Sequence, residues 1–336
     1  MRPVTQEDIA RKLNVSRITV SKALRDHPDI SADVKKRILQ VAEETGYSAN
    51  QIATQLTSHT THTIGVIIPD LKNSFFSHVA DSIIGTATDR GYQILLAVSR
   101  ETEEMEIKNI RSLIGKRVDG LLVCLSHYSS DPGIFESVRR MGIPLVFFDR
   151  SVTGTGFSSV VFDDDKGVRL AIDRLVGAGY SRIAYFAGSS STHIGKERLC
   201  GYRAALTKNG IIIRDKWIIE GGYEQIDGYR SFLRLYENND LPEIVITANE
   251  LVALGAYKAI RELGLRIPED IGIVGFGFSE TAGMFSPPLT IITRDPRKMG
   301  YVAAERLIGE IGSPLSVSGE IFRIEEDFEW NDSVKH

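Results

Sequence analysis

At 336 residues the chain exceeds what one hydrophobic core commonly fills, and a composition of 42% hydrophobic and 25% charged residues fits a water-soluble protein of two or three domains. No apolar run approaches the roughly 20 residues that span a bilayer, and Met1 to Thr5 lacks the apolar stretch of a secretion signal, so a cytoplasmic protein is expected. A net charge of -4 excludes a protein that coats nucleic acid everywhere, and two distant cysteines, Cys124 and Cys200, exclude a disulfide scaffold.

The charge is unevenly placed. Between Ile9 and Arg25 stand Arg11, Lys12, Arg17, Lys22 and Arg25 with no acidic residue among them, a basic face on an acidic chain. Thr5 precedes an acidic first turn and is expected to cap a helix through Leu13, with Ile9, Ala10 and Leu13 as its core stripe. Asn14 tolerates a left-handed turn, and Ser16 then caps a second helix in which Val20 and Leu24 face inward. A third helix starts at the cap Ser31, carries Val34, Ile38 and Val41, and stops at Gly46. Two helices joined by so short a turn predict a helix-turn-helix unit, whose second helix meets base edges with its N-terminal residues. On that reading Arg17 and Lys22 donate to guanine, Ile18 meets a thymine methyl, Ser16, Thr19 and Ser21 have hydroxyls suited to phosphate oxygens, and Thr5 is placed with the DNA-binding residues.

Residues 48–58 carry only about two helical turns, with Asn50, Ala53 and Leu56 on them, followed by a polar run to Thr63. Such a helix is marginal alone and is expected to order against DNA and a second subunit. Two readings of Leu56 stand: a wedge into a minor-groove base step, or a side chain packed on the next domain.

From residue 63 short apolar runs alternate with helical stretches, at 64–68, 93–96, 120–123 and 144–148, and again at 183–186, 217–219, 244–246 and 271–274. Near-continuous apolar strands between helices predict parallel sheets covered on both faces, in two doubly wound α/β halves. In such sheets ligands bind beyond the carboxyl ends of the strands. Phe75, Phe76, Asp149, Arg198, Tyr223 and Asn249 all follow predicted strands, and aromatic platforms beside polar groups suit a sugar or a similar polar metabolite. Each has a plainer role open to it: core for the phenylalanines, helix caps for Asp149 and Asn249, an ion pair for Arg198. Asp163 opens a run of three aspartates that resembles a cap more than a metal site, and it is placed at the same cleft.

The run from Val4 to Leu56 resembles the head and hinge of the LacI/GalR family of bacterial transcription regulators, and the resemblance continues along nearly the whole chain. It implies base reading by Arg17, Ile18 and Lys22, a hinge helix holding Asn50 and Ala53, and an intercalating Leu56. It also implies an effector cleft between two subdomains like those of type I periplasmic binding proteins, lined by Phe75, Asp149, Arg198, Tyr223 and Asn249. The implied division is a head at 1–47, a hinge and linker at 48–62, one subdomain at 63–162 plus 292–325, a second at 163–291, and a tail at 326–336. Lys22 stands where many members carry Arg, which keeps the charge and loses the bidentate fork. Where members that bind sugars or purines usually have a carboxylate, this chain has Gly275-Phe276-Gly277-Phe278, so the cleft is expected to lack that acceptor and to gain apolar contact from Phe278.

No phosphate loop, dinucleotide fingerprint, nucleophile elbow or metal-ligand spacing of histidines is present, so neither an enzyme nor a cofactor is expected. A solute-binding protein would share the cleft but calls for a signal segment and no basic head. The expected protein is a DNA-binding regulator, a dimer on a pseudo-palindromic operator, answering to a small sugar-like effector. No leucine-heptad segment follows Trp330, which favours a dimer over a tetramer.

Overall fold

The computed structural model describes residues 4–47, 60–126, 133–152, 154–190, 192–313 and 319–335, which fall into two compact units divided between Thr61 and His62. The hinge positions Asn50, Ala53 and Leu56 lie outside the described residues.

The first unit holds three helices, α1 (Gln6–Leu13), α2 (Arg17–Leu24) and α3 (Ala32–Glu44). Local chemistry sets the first two starts, whereas Ser31, expected as the cap of α3, makes no side-chain cap bond. Thr5 accepts from the Asp8 N–H while the Asp8 carboxylate reaches back to the Thr5 N–H, a reciprocal cap that satisfies two otherwise orphaned donors. Asn14 ends α1 in the left-handed region at φ 51°, and Ser16 caps α2 through the Thr19 N–H at 3.0 Å. Ile9, Ala10, Val20, Ala23, Ile38, Val41 and Ala42 close a small core at the helical spacings read from the sequence.

The second unit contains two six-stranded sheets. The first has the order β11-β5-β4-β3-β1-β2, built from β1 (Thr63–Ile68), β2 (Gln93–Val98), β3 (Gly120–Val123), β4 (Leu145–Phe148), β5 (Ser158–Phe162) and β11 (Ile321–Ile324), all parallel. The second repeats the plan as β12-β10-β9-β8-β6-β7, with β6 (Ile183–Gly188), β7 (Ile218–Glu220), β8 (Ile244–Thr247), β9 (Gly272–Gly277), β10 (Thr290–Thr293) and β12 (Phe328–Glu329). Sequence reading predicts parallel pairing throughout; β12 instead runs antiparallel to β10. The central strands are buried along their whole length, which is why they read as unbroken apolar runs.

Helices cover the faces. On the first sheet, α4 (Ser74–Asp89) and α12 (Pro296–Gly312) pack together over Val66, Ile68, Val146 and Phe148, while α5 (Glu103–Gly115) and α6 (Gly133–Arg140) cover the other side. On the second, α7 (Asp164–Gly177) and α8 (His193–Lys208) form one layer and α9 (Gln225–Glu237) with α10 (Glu250–Glu262) the other. A short α11 (Ser279–Ala282) follows β9.

The chain passes between the sheets three times, between β5 and α7 at Asp163, between β10 and α12 at Arg294 and Asp295, and between β11 and β12 at residues 325–327. The segment 326–336, expected as a tail, is not one in its described part: β12 pairs with β10, and Phe328 and Val334 are buried in the second subdomain's core. Sequence reading misses this because the strand has only two residues and its partner is far away in the chain.

Candidate nucleic-acid surface and ligand cleft

In the helical unit the N-terminal turn of α2 presents Arg17 and Ile18 to solvent, and Ile18 is 70% exposed. A β-branched apolar side chain so exposed, beside a cation, gives the fold nothing. Thr19, Ser21 and Lys22 are half-buried. The hydroxyls of Ser16 and Thr19 lie 2.8 Å apart and bond to each other, and that of Thr5 donates to Asp8, so all three are engaged in the first turns of α1 and α2. Lys22 is held by Asp29 at 2.8 Å, and its ammonium keeps the Asp29 carboxyl below the usual range. To reach a base, Lys22 must exchange that exposed pair for a new partner, a small cost.

Between the two sheets of the second unit lies a cleft of about 430 Å³, walled by the segments after β1, β2, β4, β6, β7, β8, β9 and β10. It therefore sits at the carboxyl ends of the strands, where the doubly wound order places a ligand. Seven of the eight expected residues line it: Phe75, Phe76, Asp149, Arg198, Tyr223, Asn249 and Phe278. Asp163 is the exception. It stands at the crossing before α7, its carboxylate 3.3 Å from Lys166 and its N–H donating to Ile324 O, and it is not among the lining residues. The feature that suggested it, a carboxylate after a strand, here marks a crossing between subdomains.

The plainer roles prove to coexist with cleft positions. Phe76 belongs to the core of the first sheet and still shows an edge to the cleft, under the Arg150 guanidinium at 5.3 Å. Asn249 caps α10 through the Val252 N–H at 2.8 Å and donates to Tyr223 O at 2.9 Å. Tyr223 can lie against the end of β6 only because residue 188 is glycine: a Cβ there would come within 2.6 Å of the Tyr223 ring. Phe278 is buried, with its ring edge-on to His78 at 5.0 Å.

Arg198 is buried and does pair with an acid. Its Nε donates to Asp164 at 2.6 Å, its Nη1 to Ala248 O at 2.6 Å, and its plane stacks 3.4 Å from the Phe276 ring. Burial works against its charge, but the Asp164 carboxylate, through its charge and its hydrogen bond, outweighs that and holds it more firmly protonated than an ordinary arginine. Its Nη2 is buried and meets no acceptor among the described residues. A fixed, desolvated N–H at a cleft wall is what a ligand oxygen needs.

Sequence reasoning missed several residues. Arg294, after β10, donates to Asp149 at 2.7 Å and stands 3.4 Å from Glu326. Asp149 itself has φ 60°, in the left-handed region that aspartate tolerates better than most residues. Glu101 grips Arg150 through both carboxylate oxygens at 2.9 Å. Glu250 lines the cleft from the first turn of α10, and burial, opposed by bonds from Thr281 and the Phe278 N–H and by His78, raises its carboxyl. Arg294 follows a strand and Glu250 follows Asn249, so recognition of β10 and inspection of one more residue would have found both. No group of metal-ligating side chains occurs among the described residues.

Residues 5–50 match the family model for bacterial regulatory proteins of the lacI family, and residues 61–328 match that for periplasmic binding proteins and the sugar binding domain of the LacI family. The chain is 31% identical over 338 residues to the probable HTH-type transcriptional repressor ExuR of Bacillus subtilis, covering 99% of this chain and 98% of that protein. It is 29% identical over 333 residues to catabolite control protein A of Priestia megaterium, covering 99% of both. Among solved structures, the lac repressor dimer bound to operator and the anti-inducer ONPF superposes with a TM-score of 0.89 at 27% identity, covering 100% of both chains. The transcriptional regulator CelR in complex with cellobiose superposes at 0.74 with 26% identity, covering 99% of this chain and 100% of that one. A basic helix-turn-helix unit, a cleft between two doubly wound sheets and both family models on one chain agree: the protein belongs to the LacI family of bacterial regulatory proteins and is a DNA-binding transcriptional regulator, not an enzyme.

Proposed function

We propose that the protein is a cytoplasmic repressor that binds a pseudo-palindromic operator as a homodimer and is controlled by a small sugar-like effector in the cleft. The observation that carries the reading is the N-terminal turn of α2, where Arg17 and a 70% exposed Ile18 stand together on a well-capped helix. Arg17, Ile18 and Lys22 read bases; Thr5, Ser16, Thr19 and Ser21 contact phosphates once their caps are shared with DNA; Asn50, Ala53 and Leu56 form the hinge contact in the minor groove. Phe75, Phe76, Asp149, Arg198, Tyr223, Asn249 and Phe278 hold the effector. Support for a dimer comes from apolar side chains left at the surface of the second unit, Leu71, Ile84, Leu95 and Leu96 on one subdomain and Leu254 and Met284 on the other. The lac repressor structure is that of a dimer on its operator.

The test is fluorescence anisotropy against a pool of randomised duplexes carried through rounds of selection. A palindromic consensus should emerge, with affinity falling steeply as salt rises. Arg17→Ala should relax the preference at one base pair of each half-site, costing about 1–3 kcal/mol on the preferred sequence. Binding that shows no sequence preference after selection overturns the reading.

A further inference from the structure

The cleft's charges are not balanced. Four cationic side chains, Lys72, Arg150, Arg198 and Arg294, line it together with five carboxylates. Three of the cations are already committed: Arg150 to Glu101, Arg294 to Asp149, and Arg198 to Asp164 behind the wall. What remains is Asp70, Glu224 and Glu250 against Lys72, which is exposed. Glu224 is exposed as well, while Asp70 and Glu250 are half-buried, so an incoming anion would meet a wall of net negative charge screened by water only at its rim.

Glu250 occupies a niche that exists only because residue 277 is glycine. A Cβ at that position would lie 2.7 Å from both Cγ and Cδ of Glu250 and closer still to Oε1. With the niche open, the Glu250 side chain folds beneath the end of β9, where Oε1 accepts from the Phe278 N–H at 3.1 Å and from the Thr281 hydroxyl. Those two bonds fix the carboxylate and leave Oε2 with no hydrogen-bond donor among the described residues. Position 277 lacks an acidic side chain, yet a carboxylate stands there, supplied from α10.

We propose that Glu250, seated in the Gly277 niche, is the residue that selects the effector, and that the effector is a sugar without negative charge, neutral or aminated, which donates a hydrogen bond to Glu250 and accepts one from Arg198. Sugar acids and sugar phosphates are excluded by the surplus of carboxylates. The inference rests on the cleft being the effector site.

The experiment is thermal shift followed by calorimetric titration on the full chain, using pentoses, hexoses and disaccharides with their amino, uronic acid and phosphorylated counterparts. Neutral or amino probes should raise the melting temperature and the acidic ones should not. Glu250→Gln keeps an oxygen for the Phe278 N–H but turns the free acceptor into a donor, so it should weaken the bound probe about tenfold to a hundredfold. Gly277→Ala should do the same by displacing Glu250; circular dichroism of both variants checks folding, and the conservative Gln variant decides the matter if the Ala variant fails to fold. A uronate or phosphate as the tightest probe, no shift with any neutral or amino probe, or an affinity unchanged in Glu250→Gln each overturns the proposal. Arg198→Ala separates the two levels: if it abolishes binding of a probe that Glu250→Gln leaves untouched, the cleft reading stands and the role of Glu250 falls. If it leaves binding intact, the cleft reading itself falls.

Discussion

Both oxygens of Glu326 are buried and neither accepts a hydrogen bond among the described residues, although Arg294 Nε stands 3.4 Å from one of them. Burial and the neighbouring Asp164 and Asp163 push its carboxyl up to about 8, against the pull of Arg294 and Arg198. A carboxyl raised in the folded state keeps its proton while the unfolded chain gives it up, so folding stability is highest below the ordinary carboxylate range and falls as pH climbs toward 8. Denaturant midpoints should therefore drop between pH 5 and 8, and Glu326→Gln should flatten that slope and raise stability at pH 8 by on the order of 2 kcal/mol. A slope that survives the substitution would show Glu326 ionised beside its arginines throughout. Nothing in the sequence marks this residue, because its character comes from Asp164, Arg198 and Arg294, none closer than 32 positions away. Phe75, Asp149, Arg198, Tyr223 and Asn249 could be read because each follows a strand that could itself be read.

Helices α9 and α10 meet through two glycines. A Cβ at Gly255 would come within 2.6 Å of the Tyr229 backbone nitrogen, and one at Gly228 within 2.9 Å of Val252 Cα, each with a carbonyl oxygen nearer still. Backbone cannot retreat as a side chain can, so Gly255→Ala should destabilise by about 2–3 kcal/mol in chemical denaturation. Gly309→Ala, on α12 with open space around it, should instead stabilise by roughly 0.5–1 kcal/mol, since it removes only the entropic handicap of a helical glycine. Equal effects at the two positions would refute the close-packing argument. Among the strands, the eight read from sequence are those with unbroken apolar runs. The four missed ones have physical excuses: β5 opens with two serines, β10 is flanked by threonines, β11 exposes Ile321, and β12 is two residues long. Each is specified by a neighbour in the sheet more than by its own pattern.

At the scale of the whole molecule, two binding events on one chain are tied by linkage. If the bound sugar lowers operator affinity by some factor, the operator must lower sugar affinity by the same factor, with about 5–150-fold typical of such coupling. Titrating the sugar with and without saturating operator, and the operator with and without sugar, should return equal factors; unequal ones would show that the two sites do not share one conformational equilibrium. All three crossings between the sheets carry ionisable side chains in or behind the cleft, Asp163 with Asp164, Arg294, and Glu326.

The three crossings also order events during synthesis. The three helices of the first unit are complete once residue 47 has been made, whereas the first sheet awaits Ile321–Ile324 and the second awaits Phe328–Glu329. At ordinary elongation rates that interval is on the order of 15–60 s. A nascent chain therefore carries the three helices of its first unit well before either sheet of the second is complete, and a polypeptide stalled or cut short in between would hold the one without the other.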